Sequence, residues 1–225
     1  MAMPFGNETS LLGHIIDRLQ INFESYKISV ATSTNSKDDK INEICGKYNI
    51  PCTRGSETDV ASRFIQAAED LDIDYVIRVC GDNPFLSMEL TRNIIKRCED
   101  DTKKRDYYSY YVNNKVGILT DHGFFCEIFS IKRLQKEWTL MDSYMKEHVT
   151  TVFYFKNDML ISKLPYDNHK MKRVRLTIDT IEDYHLCGEV FDLLRGRQQD
   201  IDGIIDILRP YHYEIMIDKS KNNIK

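Results

Sequence analysis

The sequence is short of several things, and each shortage excludes something. No apolar run approaches the length of a membrane span. The N-terminus has no basic patch followed by an apolar core, so no secretory signal is visible and a cytoplasmic protein is expected. None of the six cysteines (Cys45, Cys52, Cys80, Cys98, Cys126 and Cys187) forms a C-x-x-C pair. Reduced, buried thiols fit that distribution and a zinc site does not. Positive charge is also lacking: the net charge is -4 and the pI near 5.9, which gives no global attraction to nucleic acid or acidic membranes. No internal repeat, low-complexity tract or linker interrupts the 225 residues, so one domain spanning 1–225 is expected.

What is present reads as alternating helices and strands. Ser10 can cap a helix running through Gln20, and Lys27–Thr32 reads as a strand with the polar exit Ser33-Thr34-Asn35. A helix over Lys37–Tyr48 and a strand over Ile50–Thr53 follow, then the turn-like Arg54-Gly55-Ser56-Glu57. Thr58 or Asp59 caps a helix over Val60–Leu71. Tyr75–Cys80 reads as a strand buried on both faces of a parallel sheet, stopped by Gly81-Asp82-Asn83-Pro84 and followed by a helix over Ser87–Glu99. This alternation predicts a parallel α/β sheet. The second half is less regular. Strands are expected at Tyr107–Val112, Phe124–Phe129, Met159–Leu164, Val174–Ile178 and Tyr213–Ile217. Helices are expected at Ile131–Trp138, from Thr180 to Leu194 with Ile181 inward, and at Ile201–Leu208, while Asp142–Phe155 begins helical. The tyrosines of Tyr107–Val112 read as sheet packing rather than a base-stacking platform, for want of a basic surround.

Two acids stand at strand-to-helix exits, Asp82 and Asp179. In open α/β sheets ligands bind beyond the carboxyl ends of strands. Two carboxylates together with substrate phosphates are a common seat for Mg²⁺. Each acid is equally readable as a turn or cap residue. Gly55-Ser56 is a small turn that lets a base or phosphate approach the backbone, and Arg63 can bind oxygens bidentately or lie on a helix surface. His148 is either a base or a structural histidine. Asp72-Ile73-Asp74 precedes its strand, at the wrong edge of the sheet, and reads as a solvated loop.

Six stretches then fall into one order: Leu11-Leu12-Gly13-His14-Ile15-Ile16-Asp17-Arg18-Leu19, Val30-Ala31-Thr32-Ser33-Thr34-Asn35, Arg54–Arg63, Ile77–Pro84, Glu147-His148-Val149-Thr150 and Arg175–Asp183. On these the chain resembles the cytidylyltransferases that activate sugar acids as CMP-sugars, most of all the branch of spore coat polysaccharide biosynthesis protein F. The resemblance implies a three-layer α/β/α sandwich with a mostly parallel, Rossmann-like sheet of the nucleotide-sugar transferase type. It also implies the reaction: CTP plus a sugar acid gives a CMP-sugar and pyrophosphate, with Mg²⁺. Asp82 and Asp179 match the family's metal-binding, catalytic acids. Ser33, Thr34, Asn35, Gly55, Ser56 and Arg63 match nucleotide-side positions. Glu127 and His148 match the substrate side. A homodimer is the family's usual state.

Three departures accompany the resemblance. Phe125 stands where the family's sugar-side strand has aspartate, and Lys146 where it usually has arginine. Family members also open with a strand and a loop carrying the arginine and lysine that hold the triphosphate. Met3-Pro4-Phe5-Gly6-Asn7 aligns just after that loop. The expectations are therefore slow turnover of CTP and two unpaired strand edges. Two other classes fit the same residues: a non-catalytic nucleotide- or partner-binding homologue, and a glycosyltransferase using a ready-made nucleotide sugar.

Overall fold

A computed structural model describes residues 1–6, 9–166, 174–194 and 200–208. The first half alternates as expected. Two-residue strands β1 (Pro4–Phe5) and β2 (Thr9–Ser10) lead into α1 (Leu11–Asn22), whose Ser10 cap accepts from the Gly13 amide. Then come β3 (Val30–Ser33), α2 (Asp39–Lys47), β4 (Cys52–Gly55), α3 (Val60–Leu71), β5 (Tyr75–Arg78) and α4 (Met88–Asp100). Asp59, not Thr58, caps α3, and the helix ends at Asp72 in the left-handed conformation. The second half contains β6 (Tyr107–Val112), β7 (Lys115–Val116), β8 (Glu127–Ser130), α5 (Ile131–Trp138), α6 (Ser143–Glu147), α7 (Thr151–Phe155), β9 (Ile161–Pro165), α8 (Ile181–Leu193) and α9 (Ile201–Leu208).

β6 is the centre of a mixed sheet. It pairs with β8 and β7 antiparallel along one edge and with β9 parallel along the other. Its side chains alternate between faces, as a pleated strand requires. Tyr107 joins Phe129, Phe153, Leu134 and Ala61 under α3, α5 and α7. Tyr108 and Tyr110 join Ile128, Ile94, Phe85 and Leu176 under α1, α4, α8 and α9. Two cores on opposite faces of one sheet make the three layers. Full burial of each of these aromatic side chains contributes about 1.5–3 kcal/mol, which is why the tyrosine run packs inside rather than presenting a platform.

Several local expectations are corrected. β5 is not buried on both faces of a parallel sheet. It pairs antiparallel with β8, and all four of its residues are half-buried. β3 and β4 form a separate parallel pair. Among the described residues, β3 has no strand partner besides β4, and β5 none besides β8. Residues 174–179 form no strand and lie outside any ladder. Asp142–Phe155 divides into α6 and α7, and Ile181 faces solvent, half exposed, while Asp183, Cys187 and Val190 turn inward. Tyr213–Ile217 lies outside the described residues. The six cysteines are unpaired thiols, four of them buried. No helix among the described residues is long and apolar enough to cross a membrane.

Candidate active site

The site is built where β3, β4 and β5 end. α3 packs against all three strands, and its N-terminal turn follows directly from the exit of β4. Helix and strands therefore bring the exits Ser33–Asn35, Gly55–Asp59 and Gly81–Pro84 to one side of the molecule.

Asp82 is carried by the turn after β5. The turn is fixed from α1, where the Arg18 guanidinium donates to the Pro84 carbonyl at 2.8 Å and the His14 ring lies 3.1 Å from the same oxygen. One carboxylate oxygen of Asp82, Oδ1, is buried and has no protein partner. Burial raises the Asp82 pKa, and the charge of Asp179 raises it further, against the opposing charges of Arg78 and Arg175. Asp179 arrives by another route. The Ile178 amide donates to the Asp82 carbonyl at 2.9 Å, which brings together two acids that lie far apart in the chain. Asp179 is exposed and accepts from Arg175 Nη2 at 2.5 Å and from the Thr177 hydroxyl at 3.2 Å. Arg175 also donates to the buried Asp183 at 3.0 Å. Burial opposes the charge of Asp183, but Arg175 and the amides of Asp179 and Thr180 outweigh it and hold its pKa low.

The exits of β3 and β4 are tied by a carboxylate and a guanidinium. Asp38 accepts from the Ser33 hydroxyl at 2.6 Å, the Thr32 hydroxyl at 2.9 Å and the Ser33 amide at 3.2 Å. Arg54 donates to the carbonyls of Ser33 and Asn35, both at 2.9 Å, and pairs with Asp39 at 2.8 Å. The Thr34 amide donates to the Gly55 carbonyl at 2.9 Å. Gly55 is needed here: a Cβ would stand 2.9 Å from the Arg63 side-chain stem that lies across it. Arg63 Nε is buried without a protein partner. Beside it, Asp59 accepts from Trp138 Nε1 at 3.0 Å, and Lys146 Nζ lies 3.6 Å away.

On the other side of β5, Glu127 is fully buried. Arg78 Nη1 donates to one of its oxygens at 2.5 Å and the Tyr107 hydroxyl to the other. Its carboxylate is thus not presented to solvent. His148 caps α6 and is exposed, its ring 4.5 Å from that of Tyr144. The structure thus joins Asp82 to Asp179, and Ser33, Thr34 and Asn35 to Gly55, Ser56 and Arg63. It places Glu127 behind Arg78. Arg78, Arg175 and Asp183 lie within the same sequence stretches, and their pairings are shown by the structure. The signal was there, since an arginine inside a β-branched strand demands a buried acid.

A model of the cytidylyltransferase family matches residues 3–208. The chain belongs to that family. It is 33% identical over 176 residues to the spore coat polysaccharide biosynthesis protein SpsF of Bacillus subtilis, covering 76% of this chain and 69% of that protein. It is 36% identical over 205 residues to an uncharacterized protein of Methanocaldococcus jannaschii, covering 88% of this chain and 79% of the other. Among solved structures, a cytidylyltransferase from Leptospira borgpetersenii superposes with a TM-score of 0.81 at 23% identity, over 96% of this chain and 90% of that one. CMP:2-keto-3-deoxy-manno-octonic acid synthetase, solved with CTP, gives 0.63 at 9% identity, over 85% of this chain and 91% of that one. Both share the α/β fold of this cytidylyltransferase.

The donor set fits a hard divalent cation in one respect: Asp82 Oδ1 is an orphaned carboxylate oxygen beside a second carboxylate. Among the described residues no group of three or more His, Cys, Asp or Glu side chains could hold a metal by itself. A cation here would need further oxygens, of the kind that phosphates offer.

Proposed function

We propose that this cytidylyltransferase transfers the cytidylyl group of CTP to a hydroxyl of a sugar or sugar acid, giving a CMP-sugar and pyrophosphate for cell-surface polysaccharide synthesis. What carries the reading is the orphaned oxygen of Asp82, in the turn after β5, beside the segment that ends at Asp179. Asp82 and Asp179 would hold Mg²⁺, which when bound screens the phosphates of CTP and favours loss of pyrophosphate. The exits Ser33-Thr34-Asn35 and Gly55-Ser56 would seat the cytidine, with Arg63 turned to its oxygens. The acceptor oxygen attacks the α-phosphorus, the bond to the β-phosphate breaks, and the hydroxyl proton leaves to solvent. His148 would lie on the acceptor side. We take the enzyme to be a cytoplasmic homodimer.

Turnover of this chain should be slow. Arg175, Arg54 and Arg78 are each committed to a carboxylate, which leaves little positive charge to neutralise departing pyrophosphate. The test is Mg²⁺-dependent pyrophosphate release from CTP with a panel of sugar acids. Asp82→Asn should lower it by about 10²–10³-fold, the usual effect of deleting one preorganised electrostatic group. Unchanged release in that variant would refute the reading. Binding of CTP by the unaltered chain with no release under any condition would mark a non-catalytic homologue.

A further inference from the structure

We infer that Arg78 is the residue that contacts the acceptor, and that it selects acceptors carrying a carboxylate through the free edge of its guanidinium. The inference rests on the nucleotidyl-transfer reading for its location and adds to it the chemistry of the second substrate.

Arg78 ends β5, directly opposite Glu127 on β8, so the two side chains share a face of the sheet. That face is the one under α3, α5 and α7. Glu127 is fully buried, and both of its oxygens are taken, by Arg78 and by the Tyr107 hydroxyl. Tyr107 is itself locked by the Phe153 ring, stacked at 5.4 Å with an interplanar angle of 8°. The stack Phe153, Tyr107, Glu127, Arg78 is thus a rigid support ending in a cation. Nothing about Glu127 can reach a ligand, but everything about it fixes the guanidinium.

Arg78 has five N–H donors and uses one nitrogen, Nη1, on Glu127. Neither Nε nor Nη2 bonds to any described residue, and neither is buried without a partner. The side chain is 21% exposed. What remains open is the Nε–Nη2 edge, the pair of parallel N–H groups that grips a planar carboxylate in two bonds. Its place in the chain gives the direction. Arg78 is the last residue of β5, and Asp82 stands four residues on, in the turn that follows. The open edge therefore lies at the carboxyl end of the strand, where ligands bind in such sheets. An acceptor held there would sit beside the acid proposed to face the phosphates.

The charge balance favours a carboxylate over a phosphate. Arg78 and Glu127 together are neutral, so the pair offers directed donors rather than a strong field. A phosphate dianion calls for more uncompensated positive charge than this. A planar monoanion is matched by geometry and costs less to desolvate.

The experiment is calorimetric titration of 2-keto-3-deoxy-manno-octonic, N-acetylneuraminic and glucuronic acids, each beside its carboxyl-reduced counterpart, with CTP titrated separately. The unaltered protein should bind at least one acid at least tenfold more tightly than its reduced form. Arg78→Lys keeps the charge and loses the fork; it should weaken that acid by tenfold or more and leave CTP within twofold. The double variant Arg78→Met, Glu127→Leu removes the pair without stranding a buried carboxylate, and should bind acid and reduced form alike. Equal acid binding by Arg78→Lys overturns the inference, as does the absence of acid binding by the unaltered protein. A parallel loss of CTP affinity also overturns it, because the guanidinium would then serve the nucleotide. Arg78-dependent acid binding without pyrophosphate release under any condition would sink the transfer reading and leave this inference standing.

Discussion

Asp183 should be worth more to this protein than its place at the start of a surface helix suggests. It is 1% exposed and sits three residues past the Thr180 cap of α8. Its Oδ2 accepts from the Asp179 amide, the Thr180 amide and Arg175 Nη2, each at 3.0 Å, and Arg175 Nε lies 3.5 Å from Oδ1. Asp183→Asn preserves shape and leaves one oxygen for the two amides. It replaces the other with an NH₂ that faces a guanidinium. The loss is therefore about one charge-assisted bond, roughly 2–3 kcal/mol, moderated because Arg175 keeps Asp179. For a chain of this size that is a fall in Tm of roughly 4–12 °C. The sign of the pH dependence follows from the depressed Asp183 pKa. Its contribution is fully present above the unfolded carboxylate value, about 4, and is lost as pH falls through the lower folded value. Thermal unfolding by circular dichroism from pH 7 downward tests both points. The gap between the two proteins should be widest at pH 7 and close in acid. A Tm within about 1 °C of the unaltered protein at pH 7, or a gap that widens in acid, would refute the reasoning.

Gly123→Ala should be severe. At φ +75° its Cβ would stand 2.6 Å from the Leu176 carbonyl oxygen, so backbone strain adds to a clash with backbone. About 2–4 kcal/mol of stability should be lost by urea unfolding, and pyrophosphate release should fall because residues 174–179 shift. His14 should make the protein acid-sensitive. Burial, then the charge of Arg18, lowers its pKa to about 4, so the native state refuses a proton that the unfolded chain accepts. That stability is present above pH 6.5 and disappears as pH falls toward 4, about 3 kcal/mol in all. His14→Gln should flatten the urea midpoint over that range. Arg54→Leu frees the carbonyls of Ser33 and Asn35 and should raise the KM for CTP about tenfold with kcat little changed. An unchanged KM would mean that the β3 exit does not seat the nucleotide.

The parts of the fold legible in the sequence were those with local causes. Val60–Leu71 and Ile131–Trp138 form where hydrophobic period and capping residue agree, and Tyr107–Val112 and Ile201–Leu208 where composition and period alone suffice. The failures share another cause. Val174–Ile178 has strand composition, but whether it becomes a strand depends on a neighbour's free edge, which is set elsewhere in the chain. The apolar Val76 and Ile77 suggest a doubly buried β5, yet its exposure depends on how many strands flank it. Asp82 does follow a strand, as its turn residues imply, but Asp179 ends a segment outside any ladder, and only the Ile178 amide on the Asp82 carbonyl brings the two together. Arg78 and Glu127 were not read as a pair, because 49 residues separate them and only the register of β5 on β8 brings them together.

The two acids reach the site by unlike means, and the contrast explains Arg175. Asp82 stands on a turn held by β5 and by α1. Asp179 ends a segment with no ladder, docked by single bonds: the Leu176 amide to the Asp121 carbonyl at 3.0 Å, the Ile178 amide to the Asp82 carbonyl at 2.9 Å, and the His122 ring to the Val174 carbonyl at 2.8 Å. Such a segment has little to resist repulsion between its terminal carboxylate and a neighbour of the same sign. Asp82 registers that repulsion, through its raised pKa. One guanidinium answers it. Arg175 stems from the same segment, reaches forward four residues to Asp179, and is anchored on the buried Asp183, whose place is fixed by the capping box of α8. The rigid helix start thus holds the arginine, and the arginine holds the exposed acid. Arg175 and Thr177 both engage Asp179 through Oδ2, so its Oδ1 stands outside these two bonds.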